Sequence, residues 1–524
     1  SQKSKTEVRF RPLLAVLGLL ILTMAGILVI PLLVAAALDS ALELPAFYTT
    51  IGICLVTGMI LWGANRDYQK KLRSREAFAV VGLGWAVLSF FGALPFWLAP
   101  GGIPSLLDAY FETMSGFTTT GATILTDIEA LPPGLLFWRS LTQWLGGMGI
   151  VVLTVAVLPL LGSGGIQMMR AEVSGPTTEK LAPRVAQTAM MLWGLYLLLT
   201  VVVAGLLLPV MDWFDAVTLA FSTLATGGFS TKSLSVAHFD SAYVDAVITA
   251  FVLIAGMNFV LHYRAIFRGH PVYFRNSELR FFVGLIVVSI IFVTLMLHLG
   301  TYPDRIENAE KYGTLGQCFR YASFQVASIG TGAGFVTADY DHWPNACRVV
   351  LIVLMVVGGC AGSTAGGIKI FRVLTLVKYG LREIALLIRP HAVLPIKIGG
   401  EAVEREVIAR VLGFLALWTL LFLVSVLVLS FVLDPAWSED AGSLSVSGAK
   451  TVSGALEDDH LLTALGATLA TIGNVGAGIA GVGPLENFSA IPAIGKALLI
   501  FLMLLGRLEI YAVLVIFLPM TWRR

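Results

Sequence analysis

Ten long apolar stretches separated by short polar connections dominate the chain: residues 12–38, 45–64, 77–99, 138–162, 185–210, 242–263, 280–299, 345–378, 408–433 and 491–519. About 20 mostly apolar residues suffice to cross a bilayer as a helix, so the pattern predicts ten membrane spans, with both termini on one side. Four connections are of a different kind. Each holds an apolar stretch too short to cross, then a cluster of small residues: PSLLDAYFETMSGFTTTGAT (104–123), DWFDAVTLAFSTLATGGFS (212–230), TLGQCFRYASFQVASIGTGAGF (314–335) and LLTALGATLATIGNVGAGIAG (461–481). Aligning their ends gives TTGA, ATGG, GTGA and NVGA, with Gly121, Gly227, Gly332 and Gly476 in register at intervals of 106, 105 and 144 residues. A recurring period of this kind marks a repeated unit, here span, re-entrant segment, span. Insertions around 379–410 and in DPAWSEDAGSLSVSGAK lengthen the last interval. The expected fold is an all-α polytopic membrane protein. Two leading transmembrane helices (1–70) precede four span–pore helix–span repeats (71–175, 176–275, 276–395 and 396–524) around one pore.

Composition agrees with this. The 524 residues are 57% hydrophobic and 13% charged, against roughly 45–50% and about 25% in soluble domains. The first apolar stretch has full membrane length and no cleavage site, so it reads as a retained span rather than a signal peptide. With the N-terminus inside, 26 of the 35 Lys and Arg residues fall on the cytoplasmic side, and the positive-inside rule makes both termini cytoplasmic. The other side is rich in acids, among them Asp39, Glu43, Asp127, Glu129, Asp240, Asp339, Asp341, Glu439, Asp440, Asp458 and Asp459. Such a vestibule concentrates cations, although solvated loop residues give the same pattern. Four scattered cysteines and seven unclustered histidines give no redox or metal-site signal. The segregated basic residues and net charge of +2 give no sign of nucleic-acid binding.

The four small-residue clusters carry the chemistry. Extended Gly/Thr backbone after a half-helix cannot face lipid, because its amides and carbonyls would go unsatisfied, so it must line an enclosed polar cavity. Four such loops can form one ring of carbonyls of the kind that replaces the hydration shell of a potassium ion. Glycine permits the positive φ that such a turn needs. Each half-helix also aims its partially negative C-terminal end inward, favouring a cation. Asp212 with Asp215 is a candidate cap for the second half-helix; Glu112 and Thr113 on the first suit packing and hydrogen bonding better than ion ligation.

Two polar intrusions lie deeper. GGCAGSTAGGIK (358–369) begins about 13 residues, or roughly 20 Å, into the eighth span, beneath the expected ring. It resembles a phosphate loop in composition only. Ile368 separates Lys369 from the last glycine, Ile370 follows the lysine, and no strand precedes, contrary to the phosphate-loop pattern. A helix broken over a cavity and a closely packed kink are both open readings. Arg507 lies about 16 residues into the last span, with Glu509 facing another side of the helix. An intramembrane arginine is a functional candidate, either as an electrostatic barrier below the ring or as an anchor on carbonyls of a neighbouring helix. Secondary transporters with broken helices show inverted repeats, whereas these four repeats run in one sense. No span carries arginines at every third position, as a voltage sensor would, and no intramembrane Ser/His or His/Asp pair suggests an enzyme.

FETMSGFTTTGAT, FSTLATGGFST, GGCAGSTAGGIK and MLLGRLEIY, in this order, resemble the Trk/Ktr/HKT potassium transporter superfamily. The two extra N-terminal spans make the chain most similar to the bacterial TrkH-type potassium uptake membrane subunit. The resemblance implies potassium uptake across the inner membrane and a homodimer in membrane lipid. It also implies a cytoplasmic nucleotide-binding TrkA-type regulatory ring as partner, since this chain has no soluble domain of its own. It implies potassium as the transported ion, no organic cofactor and no enzymatic activity. Filter carbonyls would come from the residues before each glycine: Thr119 and Thr120 before Gly121, Ala225 and Thr226 before Gly227, Gly330 and Thr331 before Gly332, Asn474 and Val475 before Gly476. The third and fourth loops match less closely than the first. Plant relatives with serine at the first glycine prefer sodium, so Gly121 favours potassium. The segment containing Gly358, Gly359, Gly362, Ser363, Thr364, Gly366, Gly367 and Lys369 would be the gate, with Arg507 beside it. Channel-like conduction and sodium- or proton-coupled symport are both compatible with the sequence.

Overall fold

A computed structural model describes residues 10–66, 74–157, 185–268, 273–302, 309–399, 401–434, 460–508 and 510–517. The extreme termini, the basic connection around Arg170, the acids Glu439, Asp440, Asp458 and Asp459, and Glu509 lie outside the described residues.

The described chain is almost entirely helical, apart from a two-stranded antiparallel ribbon (Lys397–Ile398 with Glu401–Ala402). It opens with α1 (Phe10–Ile27), α2 (Val29–Ala37) and α3 (Leu44–Gly63). Gly18 of α1 and Gly58 of α3 face each other closely enough that a Cβ on either would press on the other's carbonyl, as in membrane helix pairs that meet through small residues. Glu43, fully buried, accepts from the amides of Gly134 and Leu135 at 2.8 and 2.9 Å. The carboxylate thus satisfies free N–H groups at the start of a later helix and ties the leading helices to the rest.

After these come α4 (Ser74–Leu98), α5 (Leu106–Phe117) and α6 (Pro133–Val157); then α7 (Val185–Leu207), α8 (Trp213–Ala225), α9 (Ala242–Ala255) and α10 (Phe259–Arg268). They are followed by α11 (Ser277–Leu299), α12 (Ala309–Tyr312), α13 (Leu315–Gly330), α14 (Asn345–Val357) and α15 (Ile370–Ile388). The chain continues through α16 (Arg405–Leu433), α17 (His460–Ile472), α18 (Ala493–Leu508) and α19 (Ile510–Phe517). The helices α5, α8, α13 and α17 each pack against the helices on either side of them in the chain.

Among the described residues six helices are long and apolar enough to cross a membrane, or seven if one bent pair is a single span. The ten apolar stretches are thus not ten regular helices. The stretch 242–263 bends by 100° between α9 and α10, and 345–378 is interrupted by residues 358–369 between α14 and α15. The start of 138–162 buries Arg139, Ser140, Thr142 and Gln143 in α6. Mean apolarity does not register such breaks, because glycine and alanine are cheap on any hydropathy scale whether or not the backbone stays helical.

Candidate functional site

Three of the short helices, α5, α8 and α13, are started by a side-chain cap, and all four stop at a small-residue cluster. The Ser105 hydroxyl accepts from the Asp108 amide, and Thr314 with Gln317 forms a capping box. The expected Asp212 cap is present, its carboxylate accepting from the Asp215 amide at 2.7 Å, while the Asp215 carboxylate accepts from the Thr231 hydroxyl at 2.6 Å. Such caps satisfy free N–H groups at the helix start.

At the other end the four clusters share one backbone conformation. Thr119, Thr226, Gly332 and Asn474 have φ of 50°, 50°, 74° and 51°, and Gly121, Gly228, Gly334 and Gly476 follow two residues later at 84°, 80°, 71° and 83°. The amides between them repeat the same bonds: Thr120 to Ser115, Gly227 to Ser222, Ala333 to Ser328 and Val475 to Ala470, at 2.7–2.9 Å. Left-handed φ is costly for a β-branched residue and implies that the surroundings enforce it. These angles correct the alignment read from sequence. It holds in the first and fourth loops, but shifts by one residue in the second and by two in the third. Ala225 and Gly330 are the last residues of α8 and α13. Thr331 returns its hydroxyl to the Ala327 carbonyl at 2.8 Å, as Thr118 does to Met114 at 2.6 Å. Gly228, Ala333 and Gly334 were therefore missed. The available signal was the aromatic residue after the outer glycine, in Gly228-Phe229 and Gly334-Phe335.

In this register the loops close into a ring. A Cβ on Gly121 would overlap the Gly227 carbonyl, one on Gly228 the Ala333 carbonyl, one on Gly334 the Val475 carbonyl, and one on Gly476 the Thr120 carbonyl. First meets second, second meets third, third meets fourth and fourth meets first. Only glycine at these four positions allows contacts this close.

Side chains behind the loops hold the ring. Gln143 brackets the second loop, donating to the Gly227 carbonyl at 2.5 Å and accepting from the Phe229 amide at 3.1 Å. Glu112 accepts from Arg139 Nε at 2.6 Å, from the Thr123 hydroxyl at 2.9 Å and from the Ile124 amide at 3.0 Å. Arg139 in turn donates to the Ser230 carbonyl at 2.8 Å and lies over the Phe229 ring. This buried pair joins the first loop to the second, in keeping with the hydrogen-bonding role expected for Glu112. Asn474 Nδ2 reaches both the Thr120 hydroxyl and the Met503 carbonyl at 2.9 Å.

Asp341, in the connection after the third loop, accepts from the Ala480 amide at 2.9 Å and joins the third and fourth loops. Burial pushes its carboxyl up to about 7, against the pull of Arg348. A folded-state pKa above the unfolded one makes the group cost stability as pH rises from about 4 through about 7, and relieves that cost on acidification. Thermal denaturation in detergent should therefore move to higher temperature between pH 8 and pH 6. Asp341→Asn, which keeps an acceptor, should flatten that dependence.

Residues 358–369 pack against the ring at its second and fourth loops. Gly358 (φ 69°), Gly362 (φ 73°), Gly367 (φ 79°) and Lys369 (φ 74°) turn the chain, and a Cβ on Gly358 would overlap Gly366. The segment closes on itself through Ile368 to Val356 (3.1 Å), Lys369 to Val357 (2.9 Å) and Ile370 to Gly359 (3.0 Å). It docks into the elbow between α9 and α10: Cys360 donates to Gly256 at 2.9 Å, Phe259 to Gly362 at 3.1 Å, and Thr364 to Ala255 at 3.3 Å. Glu278 at the start of α11 accepts from the Ala361 amide at 2.8 Å, and Ser363 donates to the Cys360 carbonyl at 2.5 Å. Towards the ring, Gly366 packs on Gly473 and Asn474, and the Thr226 and Thr364 hydroxyls are 3.3 Å apart. Arg507, 3% exposed, donates to the Thr364 carbonyl at 2.6 Å and to the Gly146 carbonyl at 3.4 Å. It is thus anchored on carbonyls, one of them belonging to the 358–369 segment itself.

The sequence matches the TrkH family, described as cation transport protein, over residues 43–439. It is 40% identical over 520 residues to the Trk system potassium uptake protein TrkH of Salmonella typhimurium, covering 98% of this chain and all of that one. It is also 31% identical to the Trk system potassium uptake protein TrkI of Halomonas elongata, covering 98% of each. The crystal structure of the potassium transporter TrkH from Vibrio parahaemolyticus superposes with a TM-score of 0.83 at 36% identity, covering 98% of this chain and all of that chain.

Proposed function

Because the chain belongs to the TrkH family of cation transport proteins, we propose that it takes up potassium across a bacterial inner membrane through one channel-like pore. The observation that carries this reading is the closed ring of four loops with alternating left-handed residues. Residues of alternating handedness turn successive carbonyls to the same side, unlike a strand, where they alternate. Four loops of that kind provide stacked rings of oxygens that exchange for the water around a dehydrating cation. Ligand carbonyls are assigned to Thr119, Thr120, Thr226, Gly227, Gly332, Ala333, Asn474 and Val475, with the four glycines Gly121, Gly228, Gly334 and Gly476 admitting the neighbouring loops. The C-terminal ends of α5, α8, α13 and α17 add negative potential at the same place.

Residues 358–369 are the gate in this reading, and Arg507 both pins it through Thr364 and adds positive charge to the ion path. Opening requires the segment to leave the α9–α10 elbow and the arginine together. The repeat boundaries given above, cytoplasmic termini and a homodimer belong to the same proposal. So does regulation by a TrkA-type ring on the basic cytoplasmic face around Lys378, Arg382 and Arg389.

Rubidium flux into proteoliposomes containing this chain alone tests the reading, with sodium, lithium and pH varied independently. Flux should follow the potassium or rubidium gradient and exclude sodium. Uptake that required a sodium or proton gradient would replace the channel with coupled symport.

A further inference from the structure

A cavity of about 780 Å³ opens on the flank of the protein between α7, the α9–α10 elbow and α11, within the roughly 300–1,000 Å³ of small-molecule sites. Its wall is apolar along most of its length. On α11 it follows one face through Arg280, Val283, Gly284 and Val287, positions three and four apart that share a side of the helix and span about 10 Å. Val283 and Val287 are 41% and 46% exposed, and a Cβ on Gly284 would meet nothing within 4 Å, so the missing side chain leaves room.

The polar end is chemically distinct. His262 and Tyr273 line the cavity near the α10–α11 connection, but they hold each other at 2.9 Å, and the second imidazole nitrogen lies 2.8 Å from the Ile254 carbonyl. Their hydrogen bonds are already committed within the protein. Arg280 is exposed, lines the same end, and is joined on that connection by exposed Arg275. Guanidinium matches phosphate in geometry and charge, and basic sites between helices on the cytoplasmic side take anionic headgroups.

We propose that this cavity binds an anionic phospholipid, one acyl chain lying along Val283, Gly284 and Val287 and the phosphate on Arg280. The occupant has a mechanical consequence. Ile254 and Met257 line the cavity, while the adjoining Ala255 and Gly256 hold residues 358–369 through their carbonyls. Glu278, two residues before Arg280, holds the same segment through Ala361. A chain in the cavity therefore backs the elbow that holds the segment and stiffens its grip. This consequence rests on the gate reading; lipid binding does not.

Native mass spectrometry of the detergent-purified protein titrated with phosphatidylglycerol or phosphatidylcholine tests the binding directly. Arg280→Gln should lower retained phosphatidylglycerol at least fivefold and leave phosphatidylcholine unchanged. Gly284→Leu, which fills the cavity, should lower both. Wild-type retention of phosphatidylglycerol in both variants would overturn the proposal. So would a loss of dimer on Gly284→Leu without loss of lipid, since that would make the cavity an interface with a second copy of the chain. Arg280→Gln alters an exposed side chain, so its result stands even if Gly284→Leu fails to fold. Rubidium flux measured in parallel separates the two claims: lost binding with unchanged flux keeps the lipid site and removes its link to the gate.

Discussion

Gly334→Ala should lower discrimination between potassium and sodium roughly tenfold or more, while Gly330→Ala four residues earlier should preserve it. The two substitutions add the same methyl group at very different cost. At Gly334 the backbone sits at φ 71°, and the new Cβ would overlap the Val475 carbonyl of the adjacent loop. Left-handed backbone alone costs an alanine about 1–2 kcal/mol, and the overlap can be relieved only by moving one of two main chains. Either movement opens the ring where the third and fourth loops meet. At Gly330 the residue ends a helix, and the methyl would meet the terminal Cδ1 of Ile286 at 2.7 Å, an atom a rotamer change can remove. Since about 1.4 kcal/mol corresponds to a tenfold ratio, the rubidium-to-sodium flux ratio should fall roughly tenfold or more in Gly334→Ala. It should stay within about twofold of wild type in Gly330→Ala. The opposite ranking would restore the alignment on Gly332 and remove the ring as the source of selectivity.

The contrast marks what the sequence disclosed and what it withheld. Short apolar segments ending in small residues were visible because helix length and composition are local. Asp212 was readable as a cap for the same reason. The register of the third loop was not, because SIGTGAGF offers three glycines and composition cannot tell which two take positive φ. That choice is made across the ring, by carbonyls of loops more than 100 residues away in sequence. The elbow at Gly256–Asn258 was hidden in an unbroken apolar stretch. Its bend is stabilised from outside, by Cys360 donating to Gly256 and Phe259 donating to Gly362. Arg507 was conspicuous as an intramembrane charge, yet its acceptors lie on residues 146 and 364. The sequence could name the group and leave two roles open, but not identify the carbonyls it holds.

Those carbonyls make Arg507→Ala the substitution with the largest expected effect on conduction. The guanidinium donates to Thr364 within the 358–369 segment and to Gly146 of α6, so one side chain ties the segment to a different part of the bundle. Hydrogen bonds from a charged donor contribute about 1.5–3 kcal/mol each. The shorter of the two alone therefore favours the docked arrangement of the segment, closed in the proposed reading, by roughly tenfold to a hundredfold. Removing it also removes a buried positive charge from the path assigned to a cation. Both effects have the same sign, so resting rubidium flux in proteoliposomes should rise at least tenfold. Arg507→Lys separates them. An ammonium keeps the charge but lacks the planar fork that spans two acceptors, so its resting flux should lie between wild type and alanine. A lysine variant as tight as wild type would make charge the dominant barrier; one as leaky as alanine would make the tether dominant. Unchanged flux in a folded alanine variant would free Arg507 of both roles and leave the grip of Ala255, Gly256 and Glu278 on the segment as its restraint.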